Sequence, residues 1–97
     1  MAFMDFAYKG KPIFPTKTAL NELSEIGVNL DEVPEILEKG FEVRKRAKNI
    51  IERGVQRGNK VINVVVVDLG SYYKLIHAGE FTLSKKFKKL MRHKNGI

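Results

Sequence analysis

The chain has 97 residues, 43% hydrophobic and 30% charged, with Lys+Arg 18 against Asp+Glu 11 for a net charge of +7. That length reads as a single domain over 1–97 with one modest core and a frayed end at 94–97. The lack of cysteine excludes disulfides, thiolate zinc sites and cysteine nucleophiles. The longest aliphatic run, Val64–Val67, is far short of the ~18 residues of a membrane span, and Asp5 leaves no room for an apolar signal core. A soluble, cytoplasmic protein with no membrane partner is therefore expected.

Along the chain, Phe3–Phe14 reads as a strand or loose hairpin turning at Lys9-Gly10 and stopped by Pro15. Thr16 caps a helix over 17–26 with Ala19, Leu20, Leu23 and Ile26 at helical spacing, and Gly27 ends it. Asn29 or Asp31 opens a second helix to Lys39, with Pro34 in its first turn and Val33, Ile36 and Leu37 as its buried stripe; Gly40 closes it. Local propensity over 41–57 leans helical, yet Arg57-Gly58-Asn59-Lys60 is a hairpin turn before an evident strand, Val61–Asp68. The hairpin needs a partner, so 50–57 is read as strand and 43–49 as a basic lead-in without an assigned element. Leu69-Gly70-Ser71 turns the chain into a third strand, Tyr72–Ala78, which Gly79 ends. Thr82 or Ser84 caps a final helix with Leu83, Phe87, Leu90 and Met91 on one face. The fold expected is α+β, ordered β-α-α-β-β-β-α, with an antiparallel sheet packed on helices.

With Gly58-Asn59 as the turn, Arg57 opposes Lys60, Val55 Ile62, Arg53 Val64 and Ile51 Val66. Ile51, Val55, Ile62, Val64 and Val66 then form an apolar face for the helices. Glu52, Gln56 and Asn63 lie on the other, partly open face among Val61, Val65 and Val67. A two-residue turn at Leu69-Gly70 would add Tyr73 and Leu75 to the apolar face and Tyr72 and Lys74 to the polar one.

Charge is laid out unevenly. Residues 21–42 carry seven acids against Lys39, whereas 43–60 carry seven bases against Glu52. These segments either face each other within the fold or leave the basic half for an anionic partner. No phosphate loop, paired-histidine metal spacing or nucleophile elbow is present, and no cofactor is expected. The acidic helix pair around Gly27 would repel DNA. RNA contact is instead expected from Arg44, Arg46, Lys48, Arg57 and Lys60, and from Lys85, Lys86, Lys88, Lys89 and Arg92 on the final helix. Metal-free RNA cleavage needs a base, cations and a proton donor. Glu52 is the candidate base, with Lys74 and Tyr72 beside it and Tyr72 or His77 as donor; His77 reads otherwise as a packed core residue.

Thr18-Ala19-Leu20 through Gly27-Val28-Asn29-Leu30-Asp31-Glu32-Val33, then Ile36-Leu37-Glu38-Lys39-Gly40, resembles the two-helix signature of a domain family of unknown function related to the RelE and BrnT toxins. The basic run, Gly58-Asn59-Lys60, Val61–Val67 and Ile76-His77-Ala78-Gly79 extend the resemblance over residues 13–80, although Thr18-Ala19 stands where that family often has His-Ala. The resemblance implies a RelE-like fold and a metal-independent ribonuclease or ribosome-associated toxin, restrained by an antitoxin-like protein. A non-enzymatic RNA- or ribosome-binding module, or a protein-interaction module with a basic C-terminal helix, is the alternative expectation.

Overall fold

Lys9 and Gly10 both take positive φ (53° and 78°) in the computed structural model, which describes residues 7–83. Two consecutive positive φ values make the type I′ turn whose twist suits a tight hairpin, here between β1 (Ala7–Tyr8) and β2 (Lys11–Pro15). The Thr16 hydroxyl accepts the Ala19 N–H at 3.0 Å and opens α1 (Lys17–Ile26), satisfying one of the free amides of its first turn. Gly27 ends it at φ 71°, a left-handed conformation that glycine adopts without a Cβ penalty. A short 3-10 turn, Leu30–Glu32, leads into α2 (Val33–Lys39) with Pro34 in the first turn. The reading of both helices holds, except that Leu20 is exposed rather than part of the buried stripe of α1. Phe3 and the expected final helix, with Lys85, Lys86, Lys88, Lys89 and Arg92, lie outside the described residues.

Four further strands follow: β3 (Phe41–Glu42), β4 (Ile50–Arg57), β5 (Lys60–Asp68) and β6 (Tyr73–Thr82). They join the first two in a six-stranded sheet ordered β1-β2-β6-β5-β4-β3, so the class is α+β. Residues 50–57 are strand despite their helical propensity, because pairing with β5 satisfies the whole backbone ladder. Gly58 at φ 64° sets the turn, and Arg57 opposes Lys60, Val55 Ile62, Arg53 Val64 and Ile51 Val66, as expected.

Three expectations are corrected at β6. Its connection from β5 spans Leu69 to Tyr72, with Asp68 opposite Tyr73, rather than a two-residue turn. That displaces the pairing by two positions, so Tyr73 and Leu75 keep the core face. Gly79 does not end the strand, because β5 is long enough to pair Gly79 with Asn63 and to continue to Thr82, which lies in the strand. A register shift at Val65/Val66 leaves Ile76 as the extra residue of a bulge. Finally, the sheet is not wholly antiparallel. β2 lies parallel to β6, with Ile13 opposite Tyr73.

Helices cover the apolar face as expected: Ala19, Leu23, Val33, Ile36 and Leu37 pack with Ile62, Val64, Val66 and Leu75. Full burial of one such side chain stabilises by ~1.5–3 kcal/mol relative to exposure. The other face is less open than its composition suggests, since Val61, Val65 and Glu52 are all buried. Beyond Leu75, where β2 stops, α1 guards the edge of β6: the Glu22 carboxylate accepts the Ala78 N–H at 3.0 Å. Where α2 ends, Gly40 and Gly54 bring the backbones of α2 and β4 together. A Cβ on Gly40 would meet the carbonyls of Ile36 and Gly54.

Candidate nucleic-acid interface

The lead-in 43–49 is a loop between β3 and β4 rather than a helix or strand. Main-chain bonds pin it at three points: Val43 N–H to the Glu52 carbonyl (3.1 Å), Ile50 N–H to that of Ala47 (3.0 Å), and Asp68 N–H to that of Asn49 (2.8 Å). Glu52 does the rest. Its Oε1 meets Arg44 Nε at 3.1 Å and Arg46 Nη1 at 3.0 Å, while its Oε2 accepts from Asn63 Nδ2 at 2.7 Å. The Glu52 side chain is 2% exposed, whereas those of Arg44 and Arg46 are 64% and 37% exposed. A buried carboxylate is tolerated only when paired and hydrogen-bonded, and both of its oxygens are engaged here. Behind the loop is a cavity of about 330 Å³ lined by Lys45, Arg46, Lys48, Ile50, Ile51 and Arg53, among others. Lys45 and Lys48 are exposed and form no ion pair among the described residues.

The four residues expected to serve catalysis are not assembled. Glu52 does not sit on an open face, because the loop folds over it. Tyr72 is not beside it either; it lies in the β5–β6 connection with its ring edge-on to Phe14, centroids 5.3 Å apart. Lys74 opposes Val67, and Val67 opposes Ile50, so Lys74 shares the face of Glu52 but occupies the next row. His77 opposes Val65, which opposes Glu52, yet its Nδ1 lies 3.3 Å from the Glu22 carboxylate at the sheet edge. Its side chain is 57% exposed, which overturns the reading of a packed core histidine.

Of the expected RNA contacts, Arg44, Arg46 and Lys48 gather on the loop. Arg57 and Lys60 flank the hairpin turn at the opposite end of β4 and β5, where Arg57 pairs with Glu32 at 2.6 Å and Lys60 with Glu80 at 3.1 Å. Adjacency in sequence misleads here, since the eight residues of β4 separate the two groups. The acidic and basic segments do face each other: Arg57 pairs with Glu32, and Glu42 stands opposite Arg53 in the β3–β4 ladder. Asn63 was missed as a partner of Glu52, although the two share a sheet face; Lys45 belongs to the basic run with Arg44 and Arg46.

Two ion pairs fix the pH behaviour. The Asn29 N–H and then Arg57 hold the Glu32 carboxyl below its ordinary value of 4.5. Lys11 and then the Gly70 N–H hold Asp68 below its ordinary 3.8, and Asp68 raises Lys11 above its ordinary 10.5. Lowered carboxyls contribute stability above their unfolded values and lose it as pH falls through the folded ones. A raised lysine contributes below its unfolded value and loses it as pH rises through the folded one. Thermal unfolding followed by circular dichroism should show a Tm plateau at neutral pH, an acid limb below 4.5 and an alkaline limb above 10.5. Glu32→Gln with Asp68→Asn should make the acid limb shallower; an unchanged limb would remove these two groups from it.

Among the described residues, no helix is long and apolar enough to cross a membrane, and no three His, Asp or Glu are grouped to hold a metal ion. No family model, no curated protein and no solved structure matches this chain.

Proposed function

We propose that this chain is an RNA-interacting domain of the RelE/BrnT type, and that it binds phosphate through the loop 43–49 without cleaving RNA. The observation that carries the reading is the concentration of Lys45, Arg46 and Lys48, all exposed, at one cavity, with Arg44 exposed on the same loop. Cations held at a fixed site release counterions when they meet phosphate, and the loop is held by Glu52 and three main-chain bonds. The two carboxylates at the cavity, buried Glu52 and exposed Glu42, offset only part of that charge.

Binding without catalysis is favoured over ribonuclease action because a general base must reach the proton it takes. Glu52 accepts hydrogen bonds from Arg46 and Asn63, pairs with Arg44 and has a 2% exposed side chain, which makes it an anchor for the arginines rather than a base within reach of a 2′-hydroxyl.

The test is RNA affinity across a range of salt for the wild type and for Lys45→Gln/Lys48→Gln. Each lost contact should flatten the slope of log K against log salt by about 0.7, the single-strand value. Folding should be unaffected, since both side chains are exposed. An affinity indifferent to salt, or to both substitutions, would remove the loop from the interface. Cleavage of labelled RNA by wild type, alone or with ribosomes, would restore the ribonuclease reading.

A further inference from the structure

A second cavity, of about 510 Å³, is lined by Tyr8, Lys9, Glu38 and Arg53, from the N-terminal hairpin, α2 and β4. Its volume falls within the ~300–1,000 Å³ of small-molecule clefts. Arg53 is the anomaly that singles it out. In the row Ile51, Arg53, Val55, which faces the helices, it is the only charge, and it is half-buried. A guanidinium carries five N–H donors. Here Nη1 donates to the Gly40 carbonyl at 3.3 Å, and among the described residues no carboxylate pairs with it. Glu42 is its strand partner and Glu38 lines the same cavity, yet neither closes on it. Lys9 rests over Tyr8 in a cation–π contact rather than on a carboxylate. Its Nζ lies 5.4 Å from the centroid of the Tyr8 ring and makes no ion pair among the described residues. Glu38 is exposed and unpaired among them as well.

Two cations and one carboxylate that form no salt bridge among the described residues, beside an aromatic wall, are complementary to a small molecule with both signs of charge. We propose that this cavity binds a zwitterionic amino-carboxylic acid. Its carboxylate lies between Arg53 and Lys9, where a guanidinium can engage both oxygens. The ammonium group faces Glu38, and the methylene chain lies along Tyr8. Glu38, which no cation pairs among the described residues, sets this site apart from the basic loop, because an unpaired acid repels a polyanion.

The full chain would be titrated with glycine, γ-aminobutyrate, ε-aminocaproate, acetate and methylammonium while backbone amide NMR signals are followed. One of the amino acids should shift the amides of Lys9, Glu38 and Arg53 saturably, and bind about tenfold more tightly than acetate. Glu38→Gln and Lys9→Gln should each weaken that binding several-fold with Tm unchanged, since both residues are exposed. The proposal fails if none of the amino acids gives saturable shifts. It also fails if acetate binds as tightly, if Glu38→Gln binds like wild type, or if single-stranded RNA moves the amides of Lys9 and Glu38.

Discussion

Replacing Glu52 with Ala should lower stability by about 2 kcal/mol, a fall in Tm of roughly 8–16 °C for a chain of this size. The loss arises from the groups left behind. Asn63 Nδ2, 2.7 Å from Glu52 Oε2, would keep a half-buried donor with no acceptor. Arg44 and Arg46 would lose the carboxylate that holds them, although their exposure lets water recover part of that cost. This places the effect below the ~3–5 kcal/mol of a broken pair whose partner stays buried. Glu52→Gln should be milder. Its amide oxygen can still accept from the arginines, and the Asn63 amide can rotate to present its own oxygen to the new NH₂ group. Urea denaturation of both variants checks the order. An Ala variant as stable as wild type would show that Glu52 anchors nothing. RNA affinity should follow the same order, because the cations remain but their positions are no longer held.

Gly54→Val should be more damaging, at about 3 kcal/mol, or a Tm lower by roughly 12–24 °C. Even a single methyl on Gly54 would stand 2.8 Å from Val61 Cγ1, 2.9 Å from Val43 Cγ2 and 3.1 Å from the Ile62 carbonyl. Val61 is fully buried and cannot yield, and Val43 begins the basic loop. Relief must therefore come from pushing the loop off β4, so RNA affinity should fall along with stability. Calorimetry on Gly54→Ala and Gly54→Val would show a graded loss; a Val variant within experimental error of wild type would mean the loop has room that the structure does not show.

Much of the meander was legible because its signals are local. Arg57-Gly58-Asn59-Lys60 specifies a register, and a register assigns every side chain of β4 and β5 to a face. Thr16, Gly27 and Pro34 mark the helix ends for reasons confined to single residues. Distant pairings were not legible. Nothing in Lys11–Pro15 announces a parallel partner at Tyr73–Leu75, and only that partner explains why β6 is central to the sheet. The candidate site failed in the same way. The sheet-face assignment of Glu52 was right, and its environment was wrong, because burial depends on a loop folding back across the face. His77 was misjudged since its ring reaches round the sheet edge to Glu22.

The parallel pairing of β2 with β6 also divides the molecule by how far its contacts reach along the chain. Lys11 and Asp68 meet at 2.8 Å although 57 positions apart, whereas Arg46 and Glu52 are six apart and Asn63 and Glu52 eleven. Loop-closure entropy rises with the logarithm of that separation, and distant pairing slows folding. The whole Glu52 anchor lies within residues 44–63 and needs no part of the N-terminal hairpin. The Arg53 cavity takes Tyr8, Lys9 and Glu38 from outside that span, and it exists only after the hairpin has come home to α2. The basic loop is thus a local structure and the ligand cavity a product of chain closure, so damage to the hairpin should erase the second and spare the first.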